Sequence, residues 1–186
     1  MINCIQQVGL GVPDVKEEFR WVRHVFGMDI SVFEDEGEAP FMIRYTGNKV
    51  QRRRAILAEN LQGGGAFEIW QYLSRAPELP SFTLQVGDLG ILLAKIKAKD
   101  VGAAFEQLQQ GEANVASGVL NDPAGGPSFF VRDSFGNLFQ IVEDQHWFTQ
   151  QRWVTGGNCG CLIGVSDIER AKSLSVSYTH LTLPTN

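Results

Sequence analysis

Two tandem βαβββ modules of an α+β fold, with strands curving into a partly closed mixed sheet around one small-molecule cavity, are predicted by three features of this sequence. The order strand, helix, three strands is readable twice along the chain. Each helix opens on an aspartate, Asp14 and then Asp100, and closes on a glycine, Gly27 and then Gly111. A polar turn, Asp133-Ser134-Phe135-Gly136-Asn137, joins the last two strands of the second copy.

In the first module, apolar and β-branched residues from Ile2 to Val12 predict a strand. Asp14 then offers a side-chain acceptor to the free N–H groups of a helix start, and Glu17 stands three residues on, as in a capping box. Val15, Phe19, Val22 and Phe26 recur at helical spacing, and Gly27 suits a left-handed stop. Strands are expected at Phe41 to Thr46, Arg54 to Ala58 and Ala66 to Tyr72, divided by Gly47-Asn48 and by a flexible Gly63-Gly64-Gly65. The first module is bounded at 2–74.

A Pro-punctuated connector, 75–90, leads to the second module at 91–148. Ile91 to Ala98 predicts its first strand, and Val101, Ala104, Phe105 and Leu108 make the apolar stripe of a helix capped by Asp100. Val115 to Val119, Ser128 to Arg132 and Leu138 to Glu143 complete the set of strands. A third copy begins at 158–174: Cys161 to Val165 is strand-like and Asp167 to Ala171 has a helix start. From Ser175 to Asn186 helical periodicity is abandoned. That stretch reads as a foreign tail of adaptor or cloning sequence after a truncated third module.

Composition narrows the class of partner. The chain has 186 residues, 44% of them hydrophobic, so it can bury a core. A net charge of −5 offers no electrostatic attraction for nucleic acid or an anionic membrane. Its one basic cluster, Arg52-Arg53-Arg54, is expected on a solvated strand or hairpin edge. No apolar run is long enough for a transmembrane helix and no secretion signal opens the chain, so a cytoplasmic protein is expected. Cys4, Cys159 and Cys161 are too few and too unevenly placed for a disulfide framework, and they read as small strand residues in preference to metal ligands.

Strand parity picks out candidate site residues, because alternate side chains face opposite sides of a sheet. Val8, Leu10 and Val12 should cover the core, leaving Gln7, Gly9 and Gly11 on the other face. Glu68, Trp70 and Tyr72 share a face, as do Leu93, Lys95 and Lys97. Walls of this kind, with a few polar groups among aromatic ones, suit a small-molecule ligand.

The paired modules, the segment Gln6-Gln7-Val8-Gly9-Leu10-Gly11-Val12-Pro13-Asp14 and the turn Asp133-Ser134-Phe135-Gly136-Asn137-Leu138-Phe139-Gln140 resemble the vicinal oxygen chelate superfamily. That superfamily includes glyoxalase I, extradiol dioxygenases and bleomycin-resistance proteins, and the likeness covers roughly 2–145. The resemblance implies metal corners on the first and last strands of the modules: Gln7 and Glu68 in the first, Leu93 and Gln140 in the second. Leu93 has no donor atom. Gln7, Glu68 and Gln140 are therefore the implied ligands of a divalent metal (Mn, Fe, Ni or Zn). Glu68 is the implied catalytic group, with Trp70, Tyr72 and Lys95 as ligand contacts and Lys95 facing Glu68 across the cavity. Glu143 points to the opposite face from Gln140.

None of His24, His146 and His180 reaches a corner, which argues against a two-His, one-carboxylate iron site. Two functions follow from the resemblance: a metal-dependent lyase, isomerase or oxygenase acting on a substrate with vicinal oxygens, or a metal-free protein of the bleomycin-resistance type that sequesters its ligand. A homodimer is the expected assembly.

Overall fold

The computed structural model describes residues 5–78, 81–111, 113–149 and 152–179. The first module runs β1 (Gln7–Gly11), α1 (Val15–Val25), β2 (Ile30–Glu38), a 3-10 helix (Pro40–Tyr45), β3 (Arg52–Glu59) and β4 (Ala66–Tyr72). Its four strands form one sheet in the order β1-β4-β3-β2, with β1 and β4 parallel. The second module runs β5 (Gly90–Ala98), α2 (Val101–Gln110), β6 (Asn114–Val115), β7 (Leu120–Asn121), β8 (Pro127–Arg132) and β9 (Leu138–Glu143). There the order β5-β9-β8-β6 repeats the first module, and β10 (Thr155–Gly164) lies antiparallel along the outer edge of β5. α3 (Ile168–Thr179) follows. Two mixed sheets and few helices match the predicted α+β class, but neither sheet closes.

Both predicted helix starts form as the side-chain chemistry requires. Asp14 Oδ1 accepts from the backbone N–H of Lys16 and Glu17, at 2.9 and 3.0 Å, and Asp100 Oδ1 accepts from Ala103 N at 2.9 Å. Gly27 takes φ +63°, and its α-hydrogen side lies flat on the Trp153 ring.

Several local expectations are corrected. Phe41 to Thr46 is not a strand: Pro40 at the first turn fixes a helical φ and the segment winds as a 3-10 helix. The missing strand is Ile30–Glu38, whose acidic residues read poorly as β until they meet a basic neighbour. That neighbour is β3, an inner strand, so the arginine run is not an edge. Arg52 and Arg54 both pair with Glu36, and Arg53 pairs with Asp35 at 2.7 Å. Of the strand expected at Val115 to Val119 only Val115 is paired, in the two-residue β6, and the short β7 begins just beyond it at Leu120.

The glycine triplet is not a flexible link. A Cβ on Gly63 would stand 1.8 Å from the Gly156 carbonyl oxygen, and one on Gly65 1.8 Å from that of Asn158, so two backbones pack directly on each other. Cys4 and His180 lie outside the described residues. The helix that begins at Ile168 continues to Thr179, past the Ser175 break expected from periodicity.

One core joins the modules. Val8, Val15, Val22, Ile56, Phe67 and Ile69 of the first pack in a continuous cluster with Ile96, Val101, Leu108, Phe129, Phe139 and Ile141 of the second. The ring of Phe139 meets Phe26 at 5.1 Å, Trp21 at 5.6 Å and Phe67 at 5.5 Å between centroids.

Candidate functional site

Parallel pairing of β1 with β4 sets Gly9 beside Glu68 and Gly11 beside Trp70. The face turned away from α1 therefore carries Gln7, Gly9 and Gly11 on β1 and Glu68, Trp70 and Tyr72 on β4, as parity predicts. Gln7 Nε2 donates to Glu68 Oε2 at 2.6 Å. A carboxylate demands a donor, so this bond fixes the orientation of the amide and leaves Gln7 Oε1 and Glu68 Oε1 as the acceptors of the pair. Neither Gly9 nor Gly11 has any atom within 4 Å of where a Cβ would stand, so the β1 side of the pair is open.

Trp70 and Tyr72 stand edge to face at 6.4 Å. Arg53 comes from β3 on the same face, with its guanidinium 5.0 Å from the Trp70 centroid. The same guanidinium reaches β2, meeting the Asp35 carboxylate at 2.7 Å and the Asp35 carbonyl at 3.1 Å. Arg75 lies over Tyr72 at 5.8 Å. An acceptor pair, two rings and a charge-balanced arginine thus share one open face.

Gln140 has no bond to them. Phe67 and Phe139 touch in the core, and Glu68 and Gln140, the next residue along each strand, lie on the faces of their own sheets turned away from that contact. Gln140 is buried in the second sheet, where its Nε2 donates to Ser128 Oγ at 3.1 Å. Lys95 pairs in register with Gln140 on that sheet and packs beside Gly160. Leu93 is buried on β5, paired in register with Leu162 of the adjacent β10. Glu143 is exposed at the end of β9.

The candidate donors bonded to each other are Gln7 and Glu68. Hard divalent ions take about six oxygen ligands, and one carboxylate with one amide already tied to it does not hold such an ion unaided. Among the described residues no group of three or more His, Cys, Asp or Glu stands together. Cys159 and Cys161 are free thiols; burial pushes the Cys159 thiol up to about 11, so it stays neutral, and Cys161 moves the same way.

Sequence reading missed one buried pair. Glu18, on the core side of α1, is fully buried, and its carboxyl is pushed up to about 9 by burial and then by the neighbouring Asp133 carboxylate. Asp133 belongs to the β8–β9 turn and accepts from the backbone N–H of Phe135 and Asn137. Glu18 sits three residues after Val15 and four before Val22, on the apolar stripe, and that spacing was the available signal.

A family model described as Glyoxalase/Bleomycin resistance protein/Dioxygenase superfamily matches residues 4–141. Among solved structures, a glyoxalase family protein from Bacillus cereus is 17% identical, over 77% of this chain and 95% of that one, with a TM-score of 0.58. Lactoylglutathione lyase from Agrobacterium tumefaciens is 19% identical over 81% of this chain and all of that one, with a TM-score of 0.50. Glyoxalase I from Zea mays is 14% identical over 93% of this chain, with a TM-score of 0.58, and this chain spans 53% of its length. Identities this low carry the fold alone. No curated protein sequence matches the chain.

Proposed function

Since the chain belongs to the glyoxalase/bleomycin resistance protein/dioxygenase superfamily, we propose that the open face of its first sheet binds a small molecule, with Glu68 and Gln7 accepting hydrogen bonds from it and Trp70 and Tyr72 covering its apolar part. The observation that carries this reading is the 2.6 Å Gln7–Glu68 bond beside the Trp70 ring. Paired polar groups next to aromatic surface orient and bury a ligand at once. Ligand-observed NMR against a library of small aromatic compounds tests it. Compounds that bind the parent chain should be lost by Glu68→Ala and weakened by Trp70→Leu; binding indifferent to both substitutions overturns the assignment.

A second reading is favoured by the edges of the sheets. β1 is an edge strand, whereas its counterpart β5 carries β10. A further strand laid on β1, from a second copy of this chain in a homodimer, would bring new side chains beside Gln7 and Glu68 and complete a divalent-metal site. That site would give a lyase, isomerase or oxygenase, the ion acting as a Lewis acid on vicinal substrate oxygens. Titration of Mn, Fe, Ni and Zn into parent and Glu68→Ala protein, with mass measured in parallel, tests it. Stoichiometric metal in the dimer that is lost with Glu68 supports it; stoichiometric metal that survives Glu68→Ala sinks it.

A further inference from the structure

Away from that face, a cavity of about 540 Å³ lies where the modules and β10 meet. Its walls come from the loop Gly63–Gly65 of the first module, from the stretch after β9, and from the start of β10. The glycine backbone on one side is packed against Gly156–Asn158, so this wall is rigid. Trp147 and Phe148 supply aromatic surface.

Two opposite charges line the cavity without neutralising each other. Lys97 Nζ donates to the His146 carbonyl at 2.9 Å, which uses one of its three protons. Asp144 Oδ1 accepts from the His146 backbone N–H at 2.6 Å and faces His146 Nδ1 at 3.1 Å, and no bond reaches its Oδ2. Both groups are anchored on His146, yet they form no ion pair within 4.0 Å. Asn158 also lines the cavity; it is 2% exposed, and its side-chain Nδ2 is buried without an acceptor.

We infer that this cavity binds a zwitterionic α-amino acid with an apolar or aromatic side chain. The ligand carboxylate takes a hydrogen bond from Lys97 Nζ, its ammonium group donates to Asp144 Oδ2, and its side chain rests on Trp147 and Phe148. A simple anion would satisfy Lys97 and leave Asp144 facing it. A simple cation would leave Lys97 unmatched. Only a molecule carrying both charges a few bonds apart completes both groups. This site is separate from the face of Gln7 and Glu68, and the two stand or fall independently.

Isothermal titration with L-phenylalanine, N-acetyl-L-phenylalanine and L-phenylalanine amide tests the inference. The free amino acid should bind, and the acetylated and amidated forms, each lacking one charge, should bind roughly tenfold more weakly or worse. Lys97→Met should erase the preference for the free acid over the amide. Asp144→Asn keeps an oxygen for the His146 N–H, so the fold is spared, and it should erase the preference for the free amine over the acetylated form. No binding by the free amino acid, equal binding of all three compounds, or variants that keep both preferences would each overturn it.

Discussion

Glu18 of α1 and Asp133 of the β8–β9 turn bring two carboxyl groups together inside the core that joins the modules. No donor from any other residue reaches either Glu18 oxygen. A proton held on Glu18 supplies the missing bond, and burial raises both groups above their ordinary range. The folded chain thus keeps on Glu18, up to about pH 9, a proton that the unfolded chain releases near 4.5. The folded state binds more protons in that interval, so stability should fall as pH climbs through it and level off on either side. Denaturant unfolding across pH 5 to 10 should show this slope. In Glu18→Gln the slope should be largely gone, with the variant more stable than the parent at pH 8 and closest to it near pH 5.

Arg53 and Arg52 are neighbours with different duties. Arg53 has a side chain 18% exposed, bridges β3 to Asp35 and covers Trp70, while Arg52 is 61% exposed beside Glu36. Arg53→Ala should cost about 1–2 kcal/mol and shift the Trp70 emission to the red. Arg52→Ala should change stability by less than about 0.5 kcal/mol. Thermal unfolding and fluorescence of single-tryptophan variants measure both.

Asn60 is 1% exposed; its Nδ2 bonds the carbonyls of Phe26 and Thr155, and its Oδ1 accepts from Gln62 N. Asn60→Ala removes all three of these buried bonds, while the Thr155 carbonyl keeps Gln62 Nε2 at 2.7 Å. A loss on the order of 3 kcal/mol is expected from chemical denaturation.

Glycines should divide by environment. Gly27→Ala forces a Cβ to 2.3 Å from the Trp153 ring at φ +63°, and should cost more than about 2 kcal/mol. Gly9→Ala meets nothing within 4 Å in a strand, and should be neutral or stabilising by up to about 1 kcal/mol. Differential scanning calorimetry of the two variants checks the contrast.

Period and punctuation made much of this fold readable in advance. Asp14, Asp100 and the turn at Asp133 act through their own neighbours, and β4 and β9 have the residues predicted for them. β2 stayed hidden because its acidic residues gain strand character only against the arginines of β3, a partner nearly twenty residues away. The pairing of Gln7 with Glu68 followed from parity within one module. Parity says nothing about how two modules are turned relative to each other, so the expectation that Gln140 and Lys95 share a cavity with Glu68 came from the family resemblance and not from the strand pattern.

The clasp of Asn60 and Gln62 on the carbonyls of Trp153 and Thr155 also bears on the order of folding. These bonds close loops of more than ninety residues, among the costliest in entropy, so they should form late in the folding reaction. A nascent chain that has emerged only as far as β9 would hold its first module in a provisional state, with the Asn60 and Gln62 amides still wet, until Trp153–Asn158 arrives to lock them.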